Sequence, residues 1–148
     1  MSKAKVFFDS SALFAGVIPA TGAARALLLL SEGDVLIQVI VSEQVIGETE
    51  RNVARKLPRA LSYYREALCS GAIKIVSDPT GEEVKAHQGI IAHEADAPII
   101  VAAIEAKADY LVTLDRQHFL DDPEVAQRSG LRIGSPGDCL AWVRNLAG

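Results

Sequence analysis

A chain of 148 residues, 49% hydrophobic but only 5% aromatic, is long enough to bury a full core and must build it from Ala, Leu, Ile and Val. Fifteen basic against nineteen acidic residues leave a net charge of -4, which argues against a protein that grips nucleic acid by bulk electrostatics but not against one that meets phosphate through a bound cation. Cys69 and Cys139 belong to no C-x-x-C pair and read as reduced core residues, and no apolar run approaches the roughly 18 residues of a membrane span, so the expected address is the cytoplasm.

Lys5-Val-Phe-Phe8 is a β-prone run ending at Asp9, after which Ser10 or Ser11 can cap a helix. Ala23 to Leu30 reads as a helix closing near Gly33. Val35 to Val41 is a nearly continuous apolar run, the kind that suits a parallel sheet buried on both faces. Ser42 then stands as a cap three residues before Val45, and the helix it opens carries Val45, Ile46, Thr49 and Val53 on one side. Leu57-Pro58 breaks this helix, and another follows from Arg59 to Cys69, closing at Gly71. Ile73 to Val76 is strand-like, and Pro79-Thr-Gly-Glu-Glu leads into a helix through Ile91. Asp96-Ala-Pro sets Asp at a helix start with Pro just inside, and an Ala-rich apolar helix runs on to Ala108. Tyr110 to Leu114 is a strand ending at Asp115, Leu131 to Ile133 a last strand, and Gly137 to Leu146 a closing helix. Strands alternating with helices imply one α/β domain, a three-layer α/β/α arrangement with a mainly parallel central sheet of about four to five strands.

In open α/β sheets, ligands bind beyond the carboxyl ends of the strands. Asp9 and Asp115 stand at two such ends. Asp96 opens the helix that feeds the second of them, and Glu48 lies in the first two turns of its own helix, so both can lean toward the same rim. At spacings of about 6 Å each pair of carboxylates would repel by about 3 kcal/mol at an effective dielectric near 20, so four together need a cation. Hard oxygen ligands in that number suit Mg²⁺ or Mn²⁺ and point to phosphoryl chemistry. Two of the four also have a bland reading, Asp96 as a helix cap and Glu48 as a solvated helix residue. An acid directly after an apolar strand, as at Asp9, is harder to explain structurally.

At these residues the chain resembles the PIN-domain ribonucleases, including the VapC-type toxins of bacterial toxin-antitoxin pairs. The matching stretches are Val6-Phe-Phe-Asp-Ser-Ser-Ala-Leu13, Ser42-Glu-Gln-Val-Ile-Gly-Glu48, Asp96-Ala-Pro-Ile-Ile-Val-Ala-Ala103 and Leu111-Val-Thr-Leu-Asp-Arg-Gln-His-Phe119, in family order. The resemblance implies that residues 1–148 form a single PIN-like nuclease domain. It makes Asp9, Glu48, Asp96 and Asp115 the catalytic, metal-binding acids around Mg²⁺ or Mn²⁺. It makes Ser10 and Thr113 the hydroxyls that hold water or phosphate. The implied reaction is hydrolysis of RNA, with an RNA substrate, a cognate antitoxin and a second copy of the chain as expected partners and no membrane. An RNA-processing nuclease without an antitoxin, or a PIN-like module that binds without cutting, are the alternatives. Many relatives carry Asn where this chain has Leu114, which removes one polar contact.

Arg116, beside Asp115, is the best-placed basic residue for a phosphate contact. Arg51, Arg55, Lys56, Arg59 and Arg65 could follow an RNA backbone or simply form solvated helix faces. His87, His93 and His118 lack zinc-site spacing and read as surface residues, with His118 close enough to Asp115 to donate a proton. Trp142 and Tyr63-Tyr64 read as core or dimer contacts. A haloacid-dehalogenase-type phosphatase needs a second Asp where Ser11 stands. A receiver domain needs an acidic pair near the first strand and a Lys where Ser135 precedes Pro136.

Overall fold

The computed structural model describes residues 3–18, 22–33, 35–91 and 93–147. Five short strands form one sheet: β1 (Ala4–Phe8), β2 (Ile37–Ser42), β3 (Ile73–Val76), β4 (Tyr110–Val112) and β5 (Arg132–Gly134). Their order is β3-β2-β1-β4-β5 and every neighbouring pair is parallel. Val6 is in register with Val39 on one side and Tyr110 on the other, so β1 is the centre of the sheet. Val6, Phe7 and Phe8 are fully buried, as are Val39, Val41, Leu111 and Val112. That is the cause of the unbroken apolar runs: in a sheet covered on both faces, alternation has no solvent side to serve. Full burial of each such side chain contributes roughly 1.5–3 kcal/mol.

The connecting helices are α1 (Ser10–Val17), α2 (Ala23–Glu32), α3 (Glu43–Lys56), α4 (Leu61–Cys69), α5 (Gly81–Ala86), α6 (Ala97–Glu105), α7 (Pro123–Ser129) and α8 (Pro136–Ala147). Right-handed crossovers put the connections of β1 to β2 and β2 to β3 on one face, and those of β3 to β4 and β4 to β5 on the other. Contacts agree: α1 packs on α2, α3 and α4, α2 also meets α8, and α5 packs on α6. Buried Ser31 on α2 ties its layer to the sheet, its hydroxyl donating to the Ala72 carbonyl and accepting from the Val39 amide at 2.9 Å. None of the described helices is long and apolar enough to cross a membrane.

Several expectations shift at the edges. The first helix is capped by Asp9 itself, which accepts from the Ala12 amide, rather than by Ser10 or Ser11. β2 starts at Ile37, leaving Val35 and Leu36 exposed beyond the sheet. The helix expected through Ile91 ends at Ala86, because Gly89 takes φ +87°, a left-handed conformation no right-handed helix can pass through. α6 stops at Glu105 rather than Ala108, with Lys107 at φ +57°. β4 ends at Val112, two residues early, and a π-helical turn over Arg116–Leu120 and α7 fill a stretch that showed no period. Cys139 is buried as expected, whereas Cys69 is exposed at the last turn of α4, where the helix end leaves it beyond the core.

Candidate functional site

Strand order places the site. β1 hands the chain outward to β2 and β3, and the chain returns to add β4 on the opposite side, so the connections leaving β1 and β4 diverge. Such a switch point opens a crevice at the carboxyl ends of the two strands. Asp9 follows β1, and Thr113 to Asp115 follow β4. The Asp9 amide donates to the Val112 carbonyl at 3.1 Å and the Thr113 amide to the Gly134 carbonyl at 3.0 Å, so both segments leave the sheet in ladder register.

Asp9 is 4% exposed. Its Oδ1 accepts from the Ser11 hydroxyl at 2.7 Å and the Ala12 amide at 2.9 Å, and its Oδ2 accepts from the Thr113 hydroxyl. Thr113, fully buried, in turn accepts from the Asp115 amide at 2.9 Å, and Ser11 accepts from the Leu114 amide at 2.9 Å. Two hydroxyls therefore stitch the end of β1 to the end of β4. Burial raises the Asp9 pKa, with the charge of Asp115 adding to the rise, against the three hydrogen bonds that favour the carboxylate. A buried carboxylate beside a second one is the electrostatic situation a cation relieves.

The other two acids arrive on helices. The carboxylate of Asp78, just after β3, accepts from the Gln44 amide at 2.8 Å, while the Glu43 carboxylate accepts from the Asp78 amide at 3.2 Å, pinning the start of α3. One turn on, Gln44 Nε2 donates to Glu48 Oε2 and to the Ala95 carbonyl, both at 3.3 Å. Glu48 is half-buried and linked by that amide to the segment carrying Asp96. Asp96 closes a 3-10 turn over Glu94–Asp96 and stands at the N-cap of α6, yet its side chain makes no capping hydrogen bond. The bland reading of Asp96 thus loses its main support.

Asp96 instead meets His93, which reads in the sequence as a surface residue, and His118, which reads as a surface residue near enough to Asp115 to donate a proton. Its Oδ2 lies 3.0 Å from His93 Nδ1 and 2.9 Å from His118 Nδ1, and His118 Nδ1 is also 3.0 Å from Asp115 Oδ2. Asp115 Oδ1 accepts from the His118 amide at 3.0 Å, which fixes the π-helical turn against the site. The signal that could have found the histidines is a pair of mirrored spacings, His93-x-x-Asp96 and Asp115-x-x-His118, each placing a ring beside a predicted acid.

The predicted residues therefore fall into linked pairs. Asp9 joins Asp115 through Thr113, Asp115 joins Asp96 through His118, and Asp96 joins Glu48 through Ala95 and Gln44. Among the described residues, no three of the four acids bring ligand oxygens within 4.8 Å of one another. The hydroxyl bonded to Asp9 beside Thr113 is that of Ser11, while Ser10 is the first residue of α1 and partly exposed. Leu114 contributes through its amide and is itself 47% exposed. Arg116 is exposed and ion-paired to Asp121 at 3.2 Å. Of the basic run, Arg65 pairs with Glu50 at 2.9 Å and Lys56 lies over the Phe14 ring. Tyr64 is core, its hydroxyl donating to the Ile46 carbonyl at 3.0 Å, and Trp142 packs against Tyr110.

The donor set fits a divalent cation. Asp96 Oδ2 is a buried oxygen with no hydrogen-bond partner, and hard carboxylate oxygens line the adjoining strand ends.

A parallel sheet with a carboxylate-bearing crevice at its switch point defines an α/β protein built to bring acids from separate segments to one rim. Residues 5–117 match the family model described as PIN domain, and the chain belongs to that family. A search of curated proteins gives no match. Among solved structures, PAE2754 from Pyrobaculum aerophilum is similar with a TM-score of 0.64 at 18% identity, covering 96% of each chain. A chain of VapBC2 from Rickettsia felis, crystallised bound to a DNA fragment from their promoter, is similar with a TM-score of 0.62 at 16% identity, over 88% of this chain and 98% of that one. At such identities these neighbours speak for the fold. PIN domains are generally nucleases, so the family makes nuclease chemistry the general expectation.

Proposed function

We propose that this chain is a divalent-metal-dependent endoribonuclease and the toxin of a toxin-antitoxin pair. The observation that carries the reading is the buried Asp9 carboxylate, held by Thr113 and Ser11 at the β1–β4 switch point with Asp115 beside it. Asp9, Glu48, Asp96 and Asp115 would hold Mg²⁺ or Mn²⁺. Such an ion, when bound, offsets charge on a phosphoryl oxygen and makes water more acidic.

The chain's own residues do the positioning. Thr113 and Ser11 fix both oxygens of Asp9, so the carboxylate loses little freedom when it engages a cation. The Thr113 hydroxyl and the His118 amide orient Asp115 at its backbone and side chain. His118, within 3.0 Å of both Asp96 and Asp115, is placed to hold or release a proton at Nδ1. Ser10 at the mouth of α1 and Arg116 at the turn after β4 would meet the RNA strand. The toxin assignment takes support from the VapBC2 likeness, and a cognate antitoxin and a second copy of the chain are its proposed partners.

Purified protein incubated with labelled RNA provides the test. Cleavage should appear with Mg²⁺ or Mn²⁺, vanish in EDTA, and fall in an Asp9→Asn/Asp96→Asn double variant by more than the roughly 10–100-fold typical of outer-shell partners. Metal-independent cleavage, or equal cleavage by the variant, would sink the mechanism.

A further inference from the structure

The two histidines form an arrangement that the acids alone do not explain. One ring nitrogen each of His93 and His118 and a carboxylate oxygen of Asp96 all lie within 4.8 Å of one another, the only His, Cys, Asp or Glu trio to do so among the described residues. The rings stack with centroids 4.0 Å apart and planes 14° from parallel, presenting both Nδ1 atoms to one carboxylate oxygen. That oxygen is buried, and although two ring nitrogens sit within 3.0 Å of it, neither meets it in hydrogen-bond geometry. Two stacked imidazolium rings would repel, whereas neutral rings protonated at Nε2 would offer their Nδ1 lone pairs, together with the carboxylate oxygen, to one shared cation.

We propose that His93, Asp96 and His118 form a binding site for a borderline transition-metal ion, with Zn²⁺ as its reference occupant. The site goes beyond the nuclease reading, because its donor set is different in kind. Mg²⁺ prefers oxygen and water, whereas two imidazoles and one carboxylate suit Zn²⁺ and its neighbours. Bonds of about 2.0–2.2 Å to a tetrahedral ion set ligand atoms roughly 3.3 Å apart, so the present 2.9–3.0 Å contacts need open by only a few tenths of an ångström. Both rings can give that much, since the His93 side chain is 48% exposed and that of His118 28%. Three protein ligands leave a fourth position free, as in catalytic zinc sites. His93 and His118 also line a recess of about 220 Å³ with Ile91, Gln117 and Asp122, room for water or a small oxyanion beside the site. Asp96 is common to this site and to the acidic set, so the two kinds of ion compete for it.

Titration calorimetry with ZnCl₂ on metal-stripped protein, without RNA, tests the site, alongside Co²⁺ as a spectroscopic probe. Wild type should bind one Zn²⁺ with imidazole-dependent affinity and give the visible absorption of four- or five-coordinate Co²⁺. His93→Gln and His118→Ala should each weaken Zn²⁺ binding at least about 10-fold and lose the Co²⁺ bands. His87→Ala, whose ring accompanies the Glu83 carbonyl on α5, serves as the control for adventitious surface binding and should match wild type. Melting curves of the stripped variants confirm that each is folded. Wild-type Zn²⁺ affinity in either trio variant, or loss in His87→Ala as large as in the trio, overturns the proposal. Because no RNA is present, a failed cleavage assay with intact Zn²⁺ binding tells against the nuclease reading alone.

Discussion

The strand-borne and helix-borne halves of the site are built differently. Asp9, Thr113 and Asp115 follow the ends of two adjacent parallel strands and, with Ser11 in the first turn of α1, are tied by hydrogen bonds that satisfy both Asp9 oxygens. Glu48, His93, Asp96 and His118 sit on helix starts and single turns, from exposed at His93 to mostly covered at Asp96, with the buried Asp96 Oδ2 left without a hydrogen bond. A sheet fixes what it carries to within its ladder geometry, whereas helix ends shift with their packing. The first half is preorganised and the second is adaptable, and a cation would draw the second onto the first.

The largest effect expected is at Asp9. Asp9→Asn should cut RNA cleavage by more than about 100-fold, beyond what outer-shell changes cost. The same variant should change the pH profile of stability in EDTA. Burial raises the folded pKa of Asp9 above its ordinary value of 3.8, so its contribution is fully present below that value and is lost as pH rises through the higher folded pKa. Subtracting the Asn profile from that of wild type, from about pH 4 to about pH 8, should leave a difference that falls with pH. A difference that rises instead would mean the hydrogen bonds outweigh burial, and the corner would be a stabilising anion site rather than a strained one.

Thr113→Val comes next. Valine keeps the shape but removes a hydroxyl that donates to Asp9 and accepts from the Asp115 amide, leaving buried groups unmet at a cost of about 1–3 kcal/mol. Cleavage should fall by about 10–100-fold because both acids lose their common brace. Denaturant unfolding and initial rates measure the two losses. Activity lost without stability would place Thr113 against the substrate instead.

How much of this was legible follows the same division. The strands beneath Asp9 and Asp115 announce themselves, because Val6-Phe-Phe and Tyr110-Leu-Val are apolar without alternation and an acid follows each run. The Ser42 cap of α3 was equally plain, and it accepts from the Val45 amide as its spacing predicts. The switch point was not legible, since strand order is decided by long-range pairing that no local pattern encodes. Nor was the Ser11 hydroxyl told from that of Ser10, because the choice depends on Asp9 taking the cap itself. The histidines escaped for a related reason: His93 and His118 are 25 residues apart by their numbering, and only the 3-10 turn and the π-helical turn bring their rings together.

On the adaptable side the expected effects shrink. Glu48→Gln replaces a half-buried carboxylate held by one 3.3 Å contact from Gln44, and water can fill in for a loosely held ligand. Stability should stay within about 0.5 kcal/mol, as for surface changes free of special features. Cleavage should drop by only about 10-fold, partly restored by higher Mg²⁺ or Mn²⁺. A loss matching that of Asp9→Asn would erase the distinction between the halves.

Arg116→Ala should be the mildest and the most diagnostic of surface contact. Its ion pair with Asp121 at 3.2 Å joins two mostly exposed side chains, so the folded protein should lose no more than about 1 kcal/mol. If the guanidinium leaves Asp121 for an RNA phosphate, the variant instead shows in binding. The plot of log affinity against log salt should become shallower by about 0.7, the share of one phosphate contact on a single strand. An unchanged slope would confine Arg116 to holding the π-helical turn, and the RNA path would then have to cross the rim on the α1 side, where Ser10 opens the helix.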